Sequence, residues 1–150
     1  MSEVESRIII RFADSADVEV VDSHRAESRI ESKKYRGAPL TRTVHPTWTI
    51  VAVVGSTIVG SLDVTLEPND RADISHVFVI PEAREIGIGD SLMSFALTHL
   101  RTHGVTRVES SAQPGDRALK NLFERHGLVA QTIIVGKSLS DPSNEEHASR

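Results

Sequence analysis

Between Pro81 and Leu92 the chain reads PEAREIGIGDSL: an arginine, two glycines one residue apart, and an aspartate. The first turn of a helix carries backbone N–H groups with no partner inside the helix, and the aligned peptide dipoles leave partial positive charge there. A phosphate reaches those amides only where side chains are missing, which is the chemical use of glycine at a helix mouth. Gly87 and Gly89 offer that access. The guanidinium of Arg84 can add a charge-assisted hydrogen bond to a phosphate oxygen. The same residues also have a purely structural reading, in which Pro81 ends a strand, the glycines make a turn and Asp90 caps the helix. Spacing alone supports both readings equally.

Two other phosphate-binding patterns are excluded. A dinucleotide fingerprint needs a small residue three positions after Gly89, where Leu92 stands. Gly136-Lys137-Ser138 spells the end of a P-loop, but the glycine required five residues earlier is Gln131. His99 and His103 have the i, i+4 spacing of a metal pair without a third ligand nearby, so a solvated helix face accounts for them better and no metal is expected. With no cysteine there is no thiolate nucleophile, disulfide or cysteine-based zinc site.

The elements that must position these residues can be read from pattern. Ile8 to Phe12 forms a short strand, and Asp14 offers an N-cap to a short helix starting with Ala16, Val18, Val20 and Val21. His24 to Arg42 is polar, with Ile30, Tyr35 and Leu40 as its few large apolar residues, and predicts a weakly amphipathic helix and a loop. TWTIVAVV (47–54) and TIVGSLDVTL (57–66) flank Gly55-Ser56 and predict an antiparallel hairpin, in which Trp48 packs. Ala72 to Ile80 is a strand ending at Pro81. Ile88, Leu92, Phe95, Ala96 and Leu100 recur at helical spacing up to Gly104. VTRVES (105–110) is a strand, Leu119, Leu122, Phe123 and His126 trace a helix closed by Gly127, and QTIIVGKS (131–138) makes a last strand. The polar residues from Leu139 to Arg150 predict a frayed tail.

A chain of 150 residues, 39% hydrophobic and 25% charged, has room for one core and sits far from disordered compositions. Residues 1–138 therefore read as one mixed α/β domain. The net charge of −4, with scattered basic residues, argues against a nucleic-acid partner. No apolar run spans a bilayer and the N-terminus has no targeting pattern, so no membrane partner and a cytoplasmic location are expected.

With its surroundings, Arg84-Glu85-Ile86-Gly87-Ile88-Gly89 resembles motif A of the GNAT superfamily of N-acetyltransferases: Gln or Arg, two residues, Gly, one residue, then Gly or Ala, at a strand-to-helix junction. GDRALKNLFERHGLV (115–129) is similar to the family's later helix, and the motif-level likeness covers about Ala72 to Ser138. The resemblance implies a mostly antiparallel sheet of about six to seven strands flanked by about four helices. It implies that Arg84, Glu85, Ile86, Gly87, Ile88, Gly89 and Asp90 cradle the pyrophosphate of acetyl-coenzyme A (acetyl-CoA). It also implies that the strand around Val77, Phe78 and Val79 polarises the thioester carbonyl through a backbone N–H.

Two positions depart from the family pattern near the cofactor. Phe123 stands where many members carry a tyrosine that protonates the departing thiolate, and Asp116 stands near the usual asparagine. The only tyrosine, Tyr35, is remote in sequence. The leaving thiol, with a pKa close to the 8.5 of cysteine, departs without much help.

An alkylamine, with a pKa near 10.4, is almost wholly charged at pH 7 and needs a base. Glu109, on the strand after the motif A helix where some members carry a catalytic glutamate, is the first candidate. His76, on the strand before it and near-neutral in pKa, is the second. Each has an ordinary alternative, Glu109 pairing with Arg107 or a neighbouring strand and His76 hydrogen-bonded within the sheet. Asp63 and Asp73 either line an acceptor cleft or face water. The expected activity is acetyl transfer from acetyl-CoA to a primary amine by direct attack. The alternative is a non-catalytic acyl-CoA-binding module on the same fold, and edge strands leave a homodimer open.

Overall fold

The computed structural model describes residues 7–37 and 45–140. Five strands form one sheet in the order β1 to β5: β1 (Ile8–Phe12), β2 (Trp48–Val54), β3 (Thr57–Glu67), β4 (Arg71–Val79) and β5 (Arg107–Ser110). The first four are antiparallel neighbours, and β5 runs parallel to β4. Three helices, α1 (Val18–Ser32), α2 (Ile88–Thr102) and α3 (Arg117–Arg125), accompany short 3-10 turns at Ser15–Asp17 and Pro81–Ala83.

The strong β-branched runs produce the β2–β3 hairpin, with Gly55 in left-handed backbone (φ 63°) at its turn. Alternation on β3 then sorts its side chains between two faces. Leu62 and Val64, both fully buried, join Ile50, Ala52 and Ile74 beneath Leu92, Met93, Ala96 and Leu100 of α2 and Leu122 and Phe123 of α3. Gly60 sits where α2 presses closest: a Cβ there would stand 3.2 Å from Ile88 and Leu92 and 3.1 Å from the Phe78 carbonyl. Ser61 and Asp63 point to the opposite face, which α1 covers with the buried Val21 and His24 and with Arg25. One face is thus an apolar core, and the other is a polar seam.

Several details differ from the sequence reading. The segment from Val18 to Ser32 is one continuous helix, because its contacts to the sheet come from Val21, His24 and Arg25 while Val18, Val20 and Ile30 stay exposed. Apolar periodicity therefore understated it. Asp14 does cap, through a reciprocal box with Asp17 at the 3-10 turn that leads into α1.

The strand expected over Gln131–Ser138 does not form: the segment has no ladder partner among the described residues, and Ile133, Ile134 and Val135 are more than two-thirds exposed. β-Branched composition supplies the propensity, but a strand exists only beside another. Among the described residues the sheet accordingly has five strands rather than six or seven, flanked by three α-helices rather than four. Leu40 and residues 141–150 of the expected tail lie outside the described residues.

Candidate active site

The β4–β5 pairing ends at Ile74 and Ser110, whereas β4 continues to Val79 with only β3 beside it. A register shift between Asp63 and Val64 leaves Ser75 as an extra residue on β4, at the point where the two parallel strands part. From Ser75 to Val79 the outer backbone edge of β4 has no strand beside it among the described residues, and the Val79 carbonyl there accepts from Arg84. The sheet therefore delivers a row of strand amides and carbonyls directly to the glycine turn.

At that turn Gly87 is the N-cap of α2, with φ 89° and no side-chain cap. The first helical bond is Ser91 N–H to Gly87 O at 3.0 Å, so the amides of Ile88, Gly89 and Asp90 precede the helical ladder. A Cβ on Gly87 would meet nothing within 4 Å, so the turn is open to solvent and to an approaching ligand. Gly89 differs: its Cβ would stand 3.4 Å from a Leu122 methyl, so this glycine serves the packing of α2 on α3. Glu85 also takes left-handed backbone (φ 68°), and Ile86 is 64% exposed at the tip.

Asp90 does not cap the helix. It accepts hydrogen bonds from Arg125 (3.1 and 3.2 Å) and sits 2.7 Å from Nε2 of His126, and Arg125 chiefly lowers its pKa. Arg84 donates from Nε to the Val79 carbonyl (2.7 Å) and from Nη2 to Glu31 of α1 (2.8 Å), with its guanidinium 5.4 Å from the centre of the Phe78 ring. It ties the turn to the end of β4 and to α1 rather than reaching out alone.

The remaining predicted residues fall in different places. Asp116 is the N-cap of α3, its carboxylate accepting the Leu119 N–H at 3.2 Å. Phe123 is buried in the core, as is Ile88. Val77 and Val79 are half-buried against that core, and Phe78 points to the polar seam, its ring 5.0 Å from His24. Glu109 lies on β5 before the strands part, ion-paired with Arg71 and, at 3.2 Å, with Arg107. The Arg107 hydrogen bond leads the causes that lower its pKa, so it is a firmly ionised carboxylate. His99 and His103 donate from Nδ1 to the carbonyls of Phe95 and His99, and no group of three metal-ligating side chains exists among the described residues.

His76 lies at the centre of a network that spacing did not reveal. Its Nε2 is 3.0 Å from the Ser61 hydroxyl, which is also 3.0 Å from Nδ1 of His24. Burial is the main reason its pKa is lowered to about 4. Alongside, Asp63 accepts two hydrogen bonds from Arg25 at 2.8 Å each and a third from Thr49 at 2.8 Å. A lone aspartate inside the apolar SLDVTL was the one sequence signal for this network, since a buried charge requires a partner. Tyr35, remote in sequence, lies beside Gly115 at the entrance to α3, where a Cβ would come within 3.7 Å of its ring.

The open turn, the unladdered amides and the free β4 edge fit a ligand that ends in phosphates and carries a long polar arm. No curated sequence matches closely enough to count as a relative. Among solved structures, the chain is similar to the aminoglycoside N-acetyltransferase AAC(6')-Iy in complex with CoA (TM-score 0.72, 12% identity, 94% of this chain and 100% of that one). It is also similar to a ribosomal-protein-alanine N-acetyltransferase from Brucella melitensis biovar Abortus (TM-score 0.68, 14% identity, 88% and 99% covered). A third is an aminoglycoside acetyltransferase from an uncultured soil metagenomic sample, in complex with sisomicin (TM-score 0.67, 14% identity, 89% and 97% covered). These likenesses establish the fold. The model of the acetyltransferase (GNAT) family matches residues 15–128, from the cap of α1 through the end of α3. The chain belongs to the GNAT family, and is an acetyltransferase whose acetyl donor is acetyl-CoA.

Proposed function

We propose that the protein acetylates a primary amine by direct attack, with no acetyl-enzyme intermediate. The observation that carries this reading is the stretch of β4 beyond its ladder with β5, which runs through Val77–Val79 toward the turn at Gly87, where the first amides of α2 precede the helical ladder. Bound acetyl-CoA supplies the activated thioester carbonyl there. The chain contributes donors: a β4 amide in the Val77–Val79 stretch polarises the carbonyl, and the amides from Ile86 to Asp90 hold the pyrophosphate. Arg84, held by Glu31, and Glu85 shape the turn that presents those amides.

His76 is the better placed base, because it borders this stretch of β4 and is neutral near pH 7. Glu109 is occupied by two arginines before the strands part, which supports a structural role for it. Asp116 supports the site by starting α3, and Phe123 by packing behind the turn. The Phe123 side chain has no proton to give, so the thiolate leaves unaided. An amine acceptor is in keeping with the acceptors named for the structural neighbours, aminoglycosides and a ribosomal-protein alanine. The outer edges of β1 and β5 have no strand beside them among the described residues, and pairing of two copies at such an edge is tested by sedimentation.

The first experiment is thermal unfolding with acetyl-CoA and, as control, adenosine. At about 100 times its dissociation constant, a ligand stabilises the native state by about 2.7 kcal/mol. Acetyl-CoA is expected to raise the midpoint and adenosine not to. Ile86→Glu, an exposed change that sets a carboxylate at the phosphate turn, is expected to remove most of the acetyl-CoA shift while leaving the ligand-free midpoint unchanged. Turnover on a panel of aminoglycosides, polyamines and peptide N-termini then identifies the acceptor; binding without turnover would favour a non-catalytic module. An acetyl-sized mass increase on the protein that is chased onto amine would overturn direct attack.

A further inference from the structure

The polar seam under α1 holds more than a helix anchor needs. Arg25, Asp63 and Thr49 already fasten α1 to β2 and β3 with charge-assisted bonds. A second, uncharged group lies beside them: Nδ1 of His24 on α1, Oγ of Ser61 on β3, and Nε2 of His76 on β4, with 3.0 Å between successive atoms. Ser61 is 0% exposed and His24 4%. We propose that His24, Ser61 and His76 form one proton relay, in which the two imidazoles share a single proton through the serine hydroxyl and carry away the proton of the attacking amine. This rests on the acetyl-transfer reading above and extends it.

A hydroxyl has one hydrogen. Ser61 therefore donates to one imidazole and accepts an N–H from the other, and the chain has two equivalent directions. In one of them His76 carries its hydrogen on Nε2, toward Ser61, and leaves Nδ1 as a free acceptor. When the amine nitrogen bonds to the carbonyl carbon and the carbon–sulfur bond breaks to release thiolate, that nitrogen holds a surplus proton. His76 Nδ1 takes it, the Nε2 proton moves to Ser61 Oγ, and the Ser61 proton moves to Nδ1 of His24. One proton enters and one positive charge travels from His76 to His24, with His76 left neutral in its other tautomer.

The surroundings favour that direction. The charged and titratable groups acting on His76 are Asp63 from β3 and His24, Arg25 and Arg29 from α1, and all but Asp63 disfavour a cation on it. Burial is the main cause that lowers its pKa to about 4, with Arg25, His24 and Arg29 adding to it and Asp63 opposing. His24 is also lowered by burial, but Glu27, one turn along α1, opposes the shift. His76 is too weak a base for a free alkylammonium with a pKa near 10.4. It suits a nitrogen made acidic by bonding to carbon, provided that the proton is passed on.

The test is a pH titration of the intact protein labelled with 15N-histidine, followed through the imidazole nitrogens, in wild type and in Ser61→Ala. The wild type is expected to show His24 Nδ1 and His76 Nε2 shifting together at one pH, and Ser61→Ala to separate them into two independent titrations. His24→Asn, which keeps a polar side chain but takes no proton, is expected to leave His76 titrating alone, and gives a second route should Ser61→Ala unfold. Independent titration in the wild type overturns the relay whether or not an acceptor is ever found. With an accepting amine, both variants are expected to lower kcat about tenfold or more, with KM for acetyl-CoA within about twofold and an altered pH profile. Coupled titration with unchanged kcat would overturn the catalytic role. Failure of every amine to react would instead count against the acetyl-transfer reading, with the titration still deciding the relay.

Discussion

Glu85 and Gly87 show how much a single backbone angle decides at this site. Both occupy left-handed backbone, yet only one is glycine. Glu85→Gly is therefore expected to stabilise the fold by up to about 1 kcal/mol, read from the urea midpoint, because the native angle no longer carries a Cβ penalty. Gly87→Ala, with empty space around the new methyl, is expected to cost about 1–2 kcal/mol from backbone alone. Asp63 poses a different problem, since it is 3% exposed and held by Arg25 and Thr49. Asp63→Ala takes away the buried partner of Arg25, which keeps Asp22 at 2.7 Å, and is expected to cost about 1–3 kcal/mol by the same measurement. The two glycines were legible as a turn at a helix mouth, but their division of labour was not. Gly89 answers to Leu122, which lies more than thirty positions away in the chain.

Among the elements, α1 was the least legible and carries the most polar contacts. Its entry is fixed by Arg11 of β1, which donates to Asp17 at 2.7 and 3.1 Å. The Arg11 hydrogen bond leads the causes that lower the Asp17 pKa from 3.8 to about 2. Since the folded value lies below the unfolded one, the unfolded chain binds the proton first as pH falls. The stabilisation is present above about pH 4 and is lost toward pH 2, amounting to about 1–2 kcal/mol. Asp17→Asn is expected to flatten that part of the stability–pH curve, followed by urea unfolding at several acidic pH values. By contrast, α3 was read correctly from Leu119, Leu122 and Phe123, because a short helix with one apolar stripe has only one way to pack. Leu122→Ala is expected to cost about 2–5 kcal/mol and to loosen the start of α2.

In the molecule as a whole, the sequence of elements from β1 to α3 followed from pattern, and the sheet order and the polar face did not. The segment after Leu128 marks the limit of that method. QTIIVGKS has strand composition, yet none of Ile133, Ile134 and Val135 is buried. Truncation after Leu128 is therefore expected to leave the unfolding midpoint within about 0.5 kcal/mol of the full chain, since surface changes away from packed features have small effects.

Local sequence by itself determined the β2–β3 hairpin, the glycine-mouthed helix and the family, because turn chemistry, apolar periodicity and a short motif act between residues near in the chain. Only tertiary structure decided the rest. The end of the β4–β5 ladder at Ile74 and the joining of His24, Ser61 and His76 depend on register and on which faces meet. Those are set by packing between elements far apart in sequence, where no local spacing records them.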